Sequence, residues 1–129
     1  MLHPALYIAD THTKGRGVFT RSALASGELL EVAPVIVLHE GDRKWVDKTR
    51  LHDYIFEWQP EGKDLCCVAL GYVSIYNHAE NANCTYEMSY EEETISIYTI
   101  REIDEGEELC INYNGDPYQS DRIWFKVLP

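Results

Sequence analysis

Apolar residues in this chain fall in short runs rich in Val, Ile and Tyr, separated by Gly-containing turns, so the pattern predicts a strand-dominated fold with little helix. Candidate strands are Leu6–Ala9, Val18–Thr20, Leu29–Leu38, Tyr54–Trp58, Leu65–Leu70, Thr85–Tyr90, Thr94–Ile100 and Leu109–Tyr113. The clearest pairing is a hairpin around Glu91–Glu92–Glu93, in which Ile95, Ile97 and Thr99 alternate with Thr94, Ser96 and Tyr98 as a half-buried strand requires. Ser26–Gly27, Glu61–Gly62 and Glu105–Gly106 mark further turns. One helix is expected, from Asp42 to about Leu51, with Asp42 as its cap and Arg43, Lys44, Lys48 and Arg50 along it. Repeats and linker-like stretches are absent from the sequence, so residues 1–129 are expected to form one domain. Residues 119–129 would be a short C-terminal tail whose adjacent Trp124 and Phe125 fold back on the body.

Composition narrows the class. At 129 residues, 45% apolar and 26% charged, the chain has the make-up of an ordinary globular domain. Acids outnumber bases 22 to 11, for a formal charge of −11, which argues against direct nucleic-acid binding and for a cationic partner. The excess is local: residues 79–121 hold twelve acids against the single base Arg101, and the other 86 residues balance. Cys66, Cys67, Cys84 and Cys110 include no CxxC, and with no secretory signal the reading is a reducing, intracellular compartment, cytoplasmic or nuclear. The charge-free stretch Leu65–Asn77 is well short of the roughly 20 residues of a membrane helix, so no membrane association is expected.

Three segments carry candidate chemistry. Lys14-Gly15-Arg16-Gly17-Val18-Phe19 is a two-glycine turn entering a strand, where the backbone can approach a ligand closely. It is too short for a dinucleotide fingerprint, and no helix follows it. Alone it reads as a tight turn. Ser74-Ile75-Tyr76-Asn77-His78-Ala79-Glu80-Asn81-Ala82-Asn83-Cys84 breaks from an apolar run into Asn-His, which offers side-chain and backbone hydrogen bonds to a polar ligand. Alone it reads as a polar loop with one satisfied histidine. Asp104-Glu105-Gly106-Glu107-Glu108-Leu109-Cys110-Ile111-Asn112-Tyr113 is an acidic turn feeding a strand that ends in tyrosine, and alone is an ordinary β-turn and edge strand.

Taken in order, the three resemble the signature of the SET-domain protein lysine methyltransferases, over roughly Leu6 to Tyr118. The likeness is closest to the smallest, viral-type histone methyltransferases, through Leu51-His52-Asp53-Tyr54-Ile55-Phe56 and Ala69-Leu70-Gly71-Tyr72. The resemblance implies a mainly β SET fold, with small sheets around a knot-like core. It implies S-adenosyl-L-methionine as methyl donor, held by Lys14, Gly15, Arg16 and Gly17 and by Asn77 and His78. It further implies that Tyr113 is the catalytic tyrosine beside the transferring methyl, and that Tyr54 and Tyr118 line the channel for the acceptor lysine. Ile111 falls where many members carry the Phe or Tyr that limits methylation, so products beyond monomethyl-lysine are expected. The expected partner is a lysine-containing, basic protein or peptide such as a histone-like tail, and exposed aromatics near the tail would permit a homodimer.

The chemistry makes sense of such a site. Transfer to an amine needs a neutral nitrogen, yet free lysine, with a pKa near ~10.4, is protonated at neutral pH. A dry channel and a neighbouring sulfonium both push that pKa down, so neither a metal nor a strong base is required. What remains is alignment, worth roughly 7–11 kcal/mol in well-oriented reactions, and aromatic walls exclude water while tolerating a cationic product.

Ala79, Glu80, Ala82 and Asn112 depart from the family's commonest residues, whereas Asn77, His78 and Tyr113 keep to them. Cys84 stands where larger members donate a zinc ligand. That cluster needs cysteines after Tyr113 and the sequence has none, so no metal is expected. Cys66 and Cys67 read as core packing, and the Ile123–Leu128 tail reads either as a lid with Trp124 or Phe125 on the adenine ring or as a plain core anchor. The alternatives are a catalytically inactive SET-fold module binding basic peptides and a strand-rich domain unrelated to the family. Retention of Tyr113 favours an enzyme, because binding alone does not need its hydroxyl.

Overall fold

Nine strands in two curled sheets, joined by turns and short helical pieces, frame residues 1–113, the part described by this computed structural model. The strands are β1 (Leu6–Asp10), β2 (Arg16–Thr20), β3 (Leu29–Val37), β4 (Ile55–Trp58), β5 (Leu65–Ala69), β6 (Asn77–His78), β7 (Cys84–Ser89), β8 (Thr94–Thr99) and β9 (Glu108–Ile111). The fold is mainly β with little helix, as the apolar pattern predicts.

The larger sheet runs β4-β5-β3-β8-β7, all antiparallel. In β8 the alternation holds: Ile95, Ile97 and Thr99 are buried, and the residues between them are partly exposed. β7 and β8 pair from Cys84↔Thr99 to Ser89↔Thr94, with the three glutamates in the exposed turn between them. Cys66, Cys67 and Cys84 are buried, and burial pushes the Cys67 and Cys84 thiols up to about 12, which leaves them inert packing residues.

β3 breaks its own alternation. A bulge between Leu29 and Glu31 turns two consecutive residues inward, and Leu30 and Glu31 are 0% and 2% exposed. An acid is thereby placed in the core.

The smaller sheet runs β1-β2-β9-β6. β9 lies antiparallel to β2, with Val18↔Leu109 and Phe19↔Glu108, and parallel to β6, with Asn77↔Cys110 and His78↔Ile111. Segments about ninety residues apart in sequence (β2 and β9) and about thirty apart (β6 and β9) thus become neighbouring strands.

The helix expected over Asp42–Leu51 shortens to α1 (Arg43–Val46), followed by a separate 3-10 turn over Arg50–Asp53. Asp42 does not cap it. Its carboxylate accepts the His39 N–H at 2.8 Å instead, closing the preceding turn. Thr49 is extended, at φ −117° and ψ 171°, and its hydroxyl accepts the Leu51 N–H, so it starts a new turn and ends the old one. Leu109–Tyr113 also ends early as a strand, at Ile111.

Candidate active site

The three segments meet at the β2-β9-β6 junction. The loop between β1 and β2 is folded by Thr11, whose N–H and hydroxyl both donate to the Gly15 carbonyl, each at 2.8 Å, and whose oxygen accepts the Lys14 N–H at 2.7 Å. Asn77 spans the junction. Its Nδ2 donates to the Arg16 carbonyl at 3.1 Å and to Glu108 Oε2 at 2.8 Å. A Cβ at position 17 would lie 2.5 Å from Glu108 Oε2 and 3.0 Å from Asn77 Nδ2, so only glycine leaves room for this bridge.

His78 is buried, and burial lowers its pKa from the ordinary value, against the opposing pull of Glu80. It is therefore neutral at pH 7. The Tyr113 N–H donates to His78 Nδ1 at 3.1 Å, which assigns the ring proton to Nε2. That Nε2 is buried with no partner among the described residues. An unpaired buried donor beside a glycine cradle is what a polar ligand with acceptor nitrogens would complete. The Lys14 ammonium is near enough to act on both His78 and Cys110, giving the same place a cation for a ligand carboxylate. Burial pushes the Cys110 thiol up to about 12, so it is no thiolate nucleophile.

Tyr113 closes the site. Its ring centroid lies 5.1 Å from that of His78, and its hydroxyl donates to the Tyr76 carbonyl at 2.7 Å. Burial, then Cys110, Tyr54, Glu108 and Asp53, raise its pKa above the ordinary tyrosine range. It is un-ionised at neutral pH. With its proton directed to the Tyr76 carbonyl, the hydroxyl oxygen can act only as an acceptor toward any further group.

Tyr54 ends the 3-10 turn over Arg50–Asp53 and acts electrostatically on Tyr113. Phe56 and Tyr86, which sequence reasoning did not single out as channel residues, extend this aromatic group. Their centroids are 5.9 Å apart at 63°, and the Tyr86 hydroxyl donates to the Tyr113 carbonyl at 3.1 Å. Ile111 is fully buried opposite His78. Tyr118 and the 119–129 tail, with Trp124 and Phe125, lie outside the described residues.

Two further residues hold the arrangement. Asn83 is buried; its Nδ2 donates to Glu107 Oε2 at 3.0 Å and to the Glu108 carbonyl at 2.8 Å, and its Oδ1 accepts the Cys110 N–H at 2.8 Å. Its hydrogen-bonding inventory suits stapling β9 to the loop after β6, yet in the sequence it is one of several asparagines. Glu31 is the other. The acidity of residues 79–121 divides: Glu107 pairs with Arg101 at 3.3 Å, Glu108 serves Asn77, and Glu91 to Glu93 stand at the exposed hairpin tip.

Known proteins share this pattern. The SET domain family matches residues 15–114. Over 127 residues the chain is 34% identical to the "Histone-lysine N-methyltransferase, H3 lysine-37 specific" of Schizosaccharomyces pombe, spanning 98% of this chain and 80% of that protein. Its fold is similar to the crystal structure of a Plasmodium falciparum protein provisionally assigned as a histone methyltransferase, with a TM-score of 0.67 and 24% identity, covering 97% of this chain and all of that one. SET-domain methyltransferases in general use S-adenosylmethionine. With the family matched over most of its length and a curated relative aligned nearly end to end, this chain belongs to the SET-domain family and is a protein-lysine methyltransferase.

Proposed function

We propose that Tyr113 is the catalytic tyrosine, that the Lys14–Gly17 loop with Asn77 and His78 holds S-adenosyl-L-methionine, and that the acceptor is a lysine of a basic, histone-like tail entering past Tyr54. The observation that carries this reading is the convergence on one residue: Tyr113 is bonded through its N–H to His78 and through its hydroxyl to the carbonyl preceding Asn77. The donor set suits the group, since His78 Nε2 offers a buried N–H, Gly17 opens the backbone, and Lys14 and Glu108 offer one charge of each sign. When bound there, S-adenosylmethionine would supply a methyl carbon on a cationic sulfonium, electrophilic because the sulfur can leave as a neutral thioether when the C–S bond breaks.

The protein's own part is to discharge and aim the amine. Tyr54, Phe56, Tyr86 and Tyr113 form an aromatic wall that excludes water and disfavours the ammonium form. The Tyr113 oxygen, its proton held by Tyr76, accepts from the incoming amine and orients its lone pair. Lys14, near enough to act on His78, and Glu108, bonded to Asn77, would place one charge of each sign beside a zwitterionic donor. The acidity around residues 79–121 favours capture of lysine-rich segments, an attraction that salt weakens. A histone-like substrate would be met in the nucleus, and another basic target in the cytoplasm.

The test is incubation of the pure protein with labelled donor and a panel of histone tails and other basic peptides, beside Tyr113→Phe. Wild type should label a lysine, and Tyr113→Phe should lose about a hundredfold or more in turnover while donor binding changes little. Loss of donor binding together with turnover would refute the assigned role of Tyr113; donor binding without any transfer would favour a binding module.

A further inference from the structure

Glu31 is an unexpected residue to find inside this core. It is 2% exposed, on the bulged strand β3, and burial raises its pKa from the ordinary glutamate value. A buried carboxylate costs several kcal/mol unless hydrogen-bonded, and an apolar pair of similar volume usually stabilises as well or better. Stability alone does not explain it.

Its partners bracket one turn. Oε2 accepts the Tyr72 N–H at 2.8 Å, and Oε1 accepts the Tyr76 hydroxyl at 3.1 Å. Between them lies the 3-10 turn Val73–Ile75, closed by the Ile75 N–H on the Tyr72 carbonyl at 2.8 Å, with Val73 fully buried. Both ends of that turn are thus fixed by the two oxygens of one side chain. Gly71, at φ +66°, is where a Cβ would collide with Glu31 Oε2, so the chain reserves space for the carboxylate.

What the turn delivers is functional. The carbonyl of Tyr76 accepts the Tyr113 hydroxyl at 2.7 Å, and Asn77 and His78 follow directly. From the same turn, the Ser74 hydroxyl donates to the Tyr54 carbonyl at 3.1 Å. We propose that Glu31 is a positioning residue for methyl transfer: by clamping Tyr72 and Tyr76 it aims the Tyr76 carbonyl at the Tyr113 hydroxyl and so sets the direction in which that oxygen accepts. This rests on the reading of Tyr113 as the catalytic tyrosine. A hydrogen-bonded network of this kind fixes geometry more tightly than apolar packing.

Kinetics in two backgrounds decide it. Glu31→Gln, which pairs an amide with one of two donors, and Tyr76→Phe, which removes only the hydroxyl, should each lower kcat about tenfold, with KM for donor and peptide within about twofold. In a Tyr113→Phe background the same substitutions should change the residual kcat by less than about twofold, because the hydroxyl they aim is gone. Equal fold-losses in both backgrounds, or a rise in KM alone, would overturn the proposal. Should Glu31→Gln not fold, Tyr76→Phe carries the comparison.

A readout independent of turnover accompanies it. In protein labelled with 13Cζ-tyrosine, the Tyr113 resonance, identified by its loss in Tyr113→Phe, should move in Tyr76→Phe and Glu31→Gln while that of Tyr7 does not. An unmoved Tyr113 resonance would overturn the proposal. Full activity of Tyr113→Phe would instead overturn the catalytic reading of Tyr113, and the resonance would still decide whether Glu31 directs that hydroxyl.

Discussion

Replacing Gly71 by Ala tests how rigidly the buried carboxylate is held. Two costs arise. At φ +66° a residue with a Cβ sits in the left-handed region, at roughly 1–2 kcal/mol. The new methyl also collides with Glu31 Oε2, which bonds the Tyr72 N–H at 2.8 Å and cannot swing into solvent from a residue 2% exposed. Hydrogen bonds to charged groups are worth about 1.5–3 kcal/mol each, and weakening one or both brings the total to about 3–5 kcal/mol. Gly41→Ala is the internal control: its φ is +92° and nothing lies within 4 Å of the added carbon, so only the backbone cost of roughly 1–2 kcal/mol applies. In urea unfolding, where m is about 1–3 kcal/mol per molar, Gly71→Ala should shift the midpoint about twice as far as Gly41→Ala. In a Glu31→Ala background the extra part should vanish. Equal losses for the two glycines within about 0.5 kcal/mol would refute the claim that Glu31 is fixed in place.

Asn83→Ala removes three hydrogen bonds and leaves the Cys110 N–H of β9 unpaired, so urea unfolding should show a loss of about 2–4 kcal/mol, far more than an exposed Asn81→Ala. The pKa of His78 is lowered by burial, so the unfolded chain takes its proton first as pH falls. The stability it contributes is therefore present above its ordinary value of 6.5 and is lost as pH drops below 6.5 through the lowered value. His78→Gln should flatten that slope in unfolding midpoints measured across the range. With Ile111 and no aromatic hydroxyl two residues before Tyr113, intact-mass analysis after long incubation should show more than one added methyl, and Ile111→Tyr should restrict the product to one.

The strands are legible from the sequence because a half-buried strand writes itself as alternation, and β8 has Ile95, Ile97 and Thr99 inward in the structure as in the pattern. The three motifs were legible because close backbone approach, a polar pair and a terminal tyrosine each demand particular residue types. Their order carried the resemblance to the family, which the family match over residues 15–114 bears out. The helix was overread because Asp42 and Thr49 each have two directions in which to bond, and only neighbours such as His39 decide between them.

What tertiary structure alone decided is adjacency and which polar side chains go inside. Nothing local announces that β9 inserts between β2 and the two-residue strand β6, since those pairings close long loops and are settled by the core as a whole. Nor does the sequence reveal that Glu31 is buried. By strict alternation an acid beside Leu30 faces solvent; a one-residue bulge reverses it, and the side chain then depends on donors some forty residues away. Local pattern determines which residues can face a core, whereas register, bulges and distant hydrogen-bond partners determine which ones do.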